Sequence, residues 1–239
     1  MFACNFACCN NTFPGRHSIY FLTVGQHIDF LIYASVRLCI NYKHKIMAHI
    51  DVDKNLPGMR SLMAFSPETA APMGELANLL LRSNDGLSMA DRELIGTYVS
   101  YLNDCFYCQQ SHGAIAVCYL NGDTELVNQV KTDYMHADIS DKLKALLSIA
   151  GSVQKGGKFV TTQQIETARE LGATDHDIHD TVLIAAAFCM FNRYVDGLAT
   201  WTPTDLNGFR QRAAKVARDG YLAALAGYVS GAGSEHADG

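Results

Sequence analysis

The chain has 239 residues, of which 49% are hydrophobic and 18% charged, and this composition is typical of a globular protein rather than a disordered one. Its length suits one domain, or at most two, with a substantial hydrophobic core. The net charge of −5 gives no reason to expect nucleic acid as a partner. The eight cysteines are not spaced as a disulfide framework, so we expect a reducing, cytoplasmic setting.

Residues 1–46 differ in character from the rest of the chain, because they show neither helical nor strand periodicity. The run 18–40 is apolar, but polar residues interrupt it, so we expect neither a spanning helix nor a membrane partner. We predict that residues 1–46 form a poorly ordered extension, and one hypothesis is that the natural start is Met47. Residues 230–239, rich in Gly, Ala and Asp, are predicted to be a disordered tail. Residues 47–229 are then predicted to form a single helical domain.

The first part of this domain is predicted to be an irregular lead-in over residues 51–65, with a turn at Pro57-Gly58. Ser66 followed by Pro67 is typical of an N-cap and the first position of a helix. The polar run 83–86 predicts the end of that helix.

The next two predicted helices carry the candidate catalytic residues. Ser88 and Asp91 form a capping-box pattern that predicts the start of a helix bearing Glu93. A second helix is predicted to come directly after it, with Asn103 or Asp104 as its N-cap.

The central motif is a Cys-x-x-Cys pair, Cys105 and Cys108, followed four residues later by His112. On a helix these three residues lie at i, i+3 and i+7, on one face. A helix N-terminus and a nearby imidazolium both lower the pKa of a thiol, and His112 lies one turn beyond Cys108, where it can accept a proton. Two cysteines at this spacing can also close a disulfide, so one could attack and the other resolve. Glu93, on the preceding helix, could orient His112 or carry protons through a water.

Further helices are predicted downstream, and a helix that is apolar nearly all round, from residue 174 to about residue 200, is expected to be central and buried. A last helix is expected within residues 201–228. The predicted helix-starting residues are Asp123, Ser140, Thr161 or Thr162, and Thr174.

Other polar or sulfur-bearing positions have mainly structural interpretations. Cys118 is interpreted as a small core residue. Asn192, Arg193 and Asp196 are interpreted as a polar cluster that fixes helix packing or subunit contacts. His179 could approach the cysteine site, although a lone histidine is more often simply packed or solvated.

Other interpretations of the cysteine motif remain open. Cys105, Cys108 and His112 could be three zinc ligands, with Glu93 as the fourth, or the two cysteines could be purely structural. A thioredoxin fold is disfavoured, because that fold places its Cys-x-x-Cys after a strand, whereas the residues before Cys105 are predicted to be helical.

Glu93 followed by Cys105-x-x-Cys108-x-x-x-His112 resembles the signature of the alkylhydroperoxidase D/carboxymuconolactone decarboxylase-like superfamily, in particular its peroxidase-related branch. The similarity runs from about Leu87 to Trp201. The resemblance implies an all-α, single-domain helical bundle with a redox Cys-x-x-Cys at a helix N-terminus. It also implies assembly as a homo-trimer or homo-hexamer.

By the same resemblance, Cys108 is the peroxidatic thiol, and Cys105 is the more exposed partner that exchanges with a reductant. His112 and Glu93 form the proton relay. One position departs from the family pattern: the best-studied members carry a histidine just before the second cysteine, where this chain has Tyr107.

The resulting prediction is a thiol-dependent peroxidase that reduces alkyl hydroperoxides, uses an external dithiol such as a lipoyl group or a thioredoxin-like protein, and needs no cofactor or metal. One alternative is a decarboxylase of the same superfamily, whose members generally lack this cysteine pair. Another is a non-catalytic scaffold or zinc-binding protein.

Overall fold

The computed structural model describes residues 48–83 and 85–229. Within these residues the chain is all-α, which confirms the predicted fold class. The predicted extension 1–46 and tail 230–239 lie outside the described residues. The helices of this part of the chain are α1 (Met59–Phe65), α2 (Pro67–Arg82), α3 (Met89–Leu102), α4 (Phe106–Tyr119), α5 (Thr124–Asp133), α6 (Asp141–Lys155), α7 (Thr162–Glu170), α8 (Asp175–Gly197) and α9 (Asn207–Val229), with a short 3₁₀ turn at Gly157–Phe159.

The predicted helix starts other than that of α4 are confirmed, and most of them are fixed by side chains that accept from free backbone N–H groups. Three helices begin with a full capping box, namely α3 at Ser88, α7 at Thr161 and α8 at Thr174. Asp123 caps α5 and Ser140 caps α6, each through one side-chain oxygen that accepts from a backbone N–H in the first turn. The prediction of an irregular segment over residues 51–65 was wrong for its second half, because α1 forms there, beginning directly after Gly58.

The core is built on α3, α6 and α8, whose apolar faces pack together. α8 is buried along much of its length, as the sequence predicted. α4 lies between α3 on one side and α9 on the other, and this arrangement brings residues from three helices toward one site. No helix in the described part of the chain combines the length and the apolar character of a membrane span.

The last helix, α9, is interrupted at Gly220, whose φ of 88° and ψ of 173° are not helical. Arg82 satisfies the carbonyls left open at the break, because one guanidinium nitrogen donates to the carbonyl oxygens of Val216 and Ala217, each at 3.0 Å. A Cβ atom at position 220 would lie 3.3 Å from Arg82 Nε, so glycine suits both the dihedral angles and the space. Tyr221 follows directly after the break, and its hydroxyl reaches the buried Glu93.

Candidate active site

Cys105 is the N-cap of α4 and not part of its first turn, so the prediction of Asn103 or Asp104 as N-cap was wrong. The reason is a tight reversal between α3 and α4, in which Asp104 takes a positive φ of 56°. Short polar residues such as Asp tolerate this left-handed conformation better than most.

The reversal is held by a network of side-chain amides. Asn103 donates to Asn192 Oδ1 at 2.8 Å and accepts from Gln154 Nε2 at 2.9 Å. Asn192, buried in α8, in turn donates to Ser100 Oγ at 3.1 Å. The interpretation of residue 192 as a packing residue is therefore confirmed, and its contacts fix the backbone that leads into Cys105.

The two other members of the predicted polar cluster make separate contacts. Arg193 is exposed and donates to the carbonyl of Cys189 on its own helix at 2.9 Å. Asp196 instead lies beside the Cys105 thiol, and its charge acts on that thiol. The sequence pattern thus grouped three residues that do not act as one cluster.

Both cysteines of the motif are free thiols and both are buried, Cys105 with 0% and Cys108 with 4% of its surface exposed. The expectation that Cys105 is the more exposed partner was wrong, because Cys105 packs into a small apolar cluster with Leu62, Val195 and Phe209. A hydrogen bond from the Cys105 thiol to Cys108, together with burial, raises the pKa of Cys105 well above its ordinary range. Cys105 therefore keeps its proton in the resting pair.

Glu93 and His112 are in direct contact. Glu93 is 0% exposed, and its Oε2 lies 2.9 Å from Nδ1 of His112. The His112 side chain is 16% exposed, so it connects the buried carboxylate with the surface of a pocket. α3 and α4 thus bring together the carboxylate and imidazole that the sequence singled out.

Tyr221 is a member of this cluster that the sequence reasoning missed. Its hydroxyl donates to Glu93 Oε1 at 2.5 Å and lies 3.1 Å from Nδ1 of His112. The tyrosine and imidazole rings are stacked, with centroids 5.9 Å apart. Burial, followed by the negative charge of Glu93, raises the pKa of the tyrosine well above its ordinary value, so the phenol stays protonated.

The ring of Phe188, on α8, packs edge-on against His112 with centroids 4.6 Å apart. On its other side this ring approaches Gly96 of α3 so closely that a Cβ atom there would lie 2.3 Å from Phe188 Cζ. The absence of a side chain at position 96 therefore allows the close approach of α3 and α8 beside the site.

Cys108, His112 and Tyr221 line one pocket, which has a volume of about 80 Å³. Most of its wall is apolar, and two arginines, Arg60 and Arg212, also line it. The apolar lining residues are Met59, Met63, Met73, Ala77, Ile115, Phe191 and Val216. A small organic molecule in this pocket would therefore contact the Cys108 sulfur and the His112 ring together.

Two other sequence candidates lie apart from the pocket. His179 does not approach the cysteines, because it hydrogen-bonds with Asp180 at 3.0 Å near the opposite end of α8. Cys118 is exposed, so its interpretation as a core residue was wrong. Across the described ranges 48–83 and 85–229, no group of three or more His, Cys, Asp or Glu side chains is arranged to hold a metal ion.

Similarity to known proteins places the chain in a family. The sequence profile of the carboxymuconolactone decarboxylase family matches residues 67–126 and 124–202, which together span more than half of the chain. The chain belongs to the carboxymuconolactone decarboxylase family. Among curated proteins no match was found.

Solved structures give the same assignment at the level of the fold. An uncharacterized peroxidase-related protein from Ralstonia eutropha JMP134, with an alkylhydroperoxidase AhpD core, is 29% identical with a TM-score of 0.59, over 65% of this chain and 80% of its own. An uncharacterized peroxidase-related protein from Silicibacter sp. TM1040 is 25% identical with a TM-score of 0.58, over 78% of this chain and 92% of its own. A protein of unknown function from Agrobacterium tumefaciens, at 19% identity and a TM-score of 0.55 over 66% of this chain and 100% of its own, shares the fold.

In this family member, the residue between the cysteines that departs from the pattern is largely buried. Tyr107 packs edge-on against Phe209 of α9, with ring centroids 5.7 Å apart, and also lines the pocket. Its ring thus helps to fasten the start of α4 to the start of α9.

Proposed function

We propose that this protein is a thiol-dependent peroxidase that reduces alkyl hydroperoxides through a Cys105/Cys108 dithiol–disulfide cycle. The main support is that the Cys108 thiol and the His112 imidazole line one small apolar pocket, with His112 Nδ1 held 2.9 Å from the buried carboxylate of Glu93. A thiol, a base and a carboxylate that orients the base are the parts that nucleophilic thiol chemistry requires.

In the first step Cys108 gives its proton to His112, and the thiolate attacks the terminal oxygen of the hydroperoxide. The O–O bond breaks, the sulfur takes the hydroxyl group as a sulfenic acid, and the alkoxide takes the proton back from His112 and leaves as an alcohol. Glu93 stabilises the imidazolium that exists between these two proton transfers.

In the second step Cys105 attacks the sulfenic sulfur of Cys108. An S–S bond forms, the S–O bond breaks, and the hydroxide leaves as water. Because the pKa of Cys105 is raised, this thiol needs a base when it attacks, and Asp196 is the carboxylate that lies beside it. Asp196 thus takes the Cys105 proton and gives it to the leaving hydroxide, which completes the water.

An external dithiol then reduces the disulfide, so that the two cysteines return to thiols and the dithiol is oxidised. Since Cys105 is fully buried and Cys108 lines the pocket, attack on the Cys108 sulfur from the pocket is the favoured direction. A slender dithiol such as a lipoyl group fits this route more easily than the surface of a thioredoxin-like protein. The assembly proposed for the functional protein is a homo-trimer or homo-hexamer.

The deciding experiment is a thiol titration with mass mapping before and after one equivalent of cumene hydroperoxide. We expect Cys105 and Cys108 to be lost together into one disulfide, while the exposed Cys118 stays free and serves as an internal control. If both motif thiols stay reduced, the protein has kept the fold without this chemistry. Zinc analysis of the same sample then tests the metal-binding alternative.

A further inference from the structure

The hydrogens available in the contacts of Tyr221 determine its role. A phenol has one hydrogen to donate, and the short 2.5 Å contact shows that it goes to Glu93 Oε1. The tyrosine oxygen can then only accept in its 3.1 Å contact with His112 Nδ1. Glu93 Oε2, at 2.9 Å from the same nitrogen, can also only accept when the carboxylate is ionised.

The Nδ1 atom of His112 therefore faces two acceptors and must carry the hydrogen. A neutral imidazole with its hydrogen on Nδ1 has its free lone pair on Nε2, on the opposite side of the ring. Since Nδ1 points to the buried carboxylate and the ring lines the pocket, Nε2 is the nitrogen available to a thiol or substrate there.

We propose that Tyr221 is a positioning residue that holds His112 in the Nδ1–H tautomer, so that Nε2 is the base of the site. This inference rests on the proposed function for its catalytic consequence, but the tautomer itself is a property of the resting protein. Tyr221 follows directly after the break at Gly220, so the last segment of α9 completes a site whose other members lie on α3 and α4.

Several charged and titratable groups lie around the His112 site. They are Glu93 on α3, Cys108 and Tyr119 on α4, Arg60 on α1, and Arg212 and Tyr221 on α9. Of these groups, Glu93 and Tyr221 hydrogen-bond to the ring nitrogen itself.

The test compares Tyr221→Phe with Tyr119→Phe in the full chain. The first substitution keeps the stacked ring and removes only the hydroxyl. Tyr119 is a matched control, because its hydroxyl bonds to Arg82 and to the carbonyl of Ala217 beside the same break, without touching Glu93 or His112. The first readout is the ¹⁵N chemical shifts of the His112 ring nitrogens in reduced protein, which report the tautomer without any peroxide. The second is the pH profile of kcat and KM with cumene hydroperoxide.

The Tyr221 hydroxyl anchors Oε1 of Glu93, so without it the carboxylate can turn and its Oε2 no longer has to face Nδ1. We therefore expect Y221F to populate both tautomers of His112 and to lose about tenfold in kcat with KM little changed. A tenfold loss corresponds to about 1.4 kcal/mol, near the low end for one hydrogen bond to a charged group. Y119F should match the wild type in both readouts. The proposal is overturned if Y221F keeps a pure Nδ1–H tautomer, or if Y119F shows the same tautomer mixture.

Gly220→Ala, which displaces Tyr221 without altering its chemistry, should reproduce the tautomer change, and an unchanged tautomer there would equally count against the proposal. If the tautomer shifts but no variant, wild type included, reduces peroxide, then the proposed function fails and the positioning role stands.

Discussion

Replacing Glu93 by glutamine removes one negative charge from the site while keeping the size of the side chain. In the wild type the carboxylate accepts from Tyr221 at 2.5 Å and contacts His112 Nδ1 at 2.9 Å. A glutamine amide has only one oxygen, so it can accept from one of these two donors and must present its NH₂ group to the other. The variant thus loses the charge that stabilises the imidazolium and disturbs either the imidazole or the phenol.

A general acid–base group typically raises the rate of a reaction by 10²–10⁴-fold. Glu93 acts through the imidazole rather than on the substrate, so we expect Glu93→Gln to slow the first step by about 10²-fold, which corresponds to about 2.7 kcal/mol in its activation free energy. The assay is the rate of sulfenic acid formation with cumene hydroperoxide in a Cys105→Ser background, which stops the cycle after that step. The midpoint of thermal unfolding should fall modestly, because one buried donor loses its acceptor, so the rate is measured well below that midpoint.

Glu166→Gln, on the exposed face of α7, makes the same change of charge far from the site and should leave the rate unaltered. A Glu93→Gln protein that forms sulfenic acid at the wild-type rate, while Cys108→Ser forms none, would show that the carboxylate has no part in the proton relay.

Three further outcomes are expected. After one equivalent of alkyl hydroperoxide, Cys105→Ser should accumulate a sulfenic acid at Cys108, seen as a gain of one oxygen by intact mass and trapped by dimedone, whereas Cys108→Ser should gain none. Because the pocket wall is mainly apolar, kcat/KM should favour cumene hydroperoxide over hydrogen peroxide by about tenfold or more, since each buried CH₂ contributes about 0.8 kcal/mol; equal values would contradict the placement of substrate there. Asp180→Asn should lower the free energy of unfolding by about 3 kcal/mol near neutral pH, because it breaks a buried ion pair with Arg92.

The stabilisation that Asp180 provides should decrease as the pH falls. Burial alone raises the pKa of Asp180, but the hydrogen bonds from His179 and Arg92 outweigh it and hold the pKa below its ordinary value. The stabilisation is therefore fully present above the unfolded-state pKa of about 3.9 and is lost as the pH falls through the folded-state pKa. Denaturant unfolding of wild type and D180N should converge at low pH, and a gap that persists there would refute the assignment.

The parts of the site that could be predicted from the sequence are those that depend on local spacing. Cys105, Cys108 and His112 lie within eight residues, and helical periodicity alone places them near each other. Glu93 needed the additional knowledge that α3 folds back on α4, which the family resemblance supplied.

The parts that could not be predicted depend on long-range packing or on a single backbone angle. Tyr221 lies 109 positions after His112, and its only local signal is the preceding Gly220, which is equally compatible with an ordinary helix end. The burial of Cys105 could not be foreseen either, because it depends on the left-handed Asp104 and on apolar residues from distant helices.

Phe188 connects the site by direct packing to positions that have no catalytic side chain. Its ring is wedged between the backbone of Gly96 and the edge of His112, so a side chain added on one side must displace the imidazole or the helix on the other. Interiors this densely packed transmit such shifts instead of absorbing them. Substitutions along the contact of α3 with α8 can therefore change the reactivity of the thiol during evolution, while every catalytic side chain stays the same.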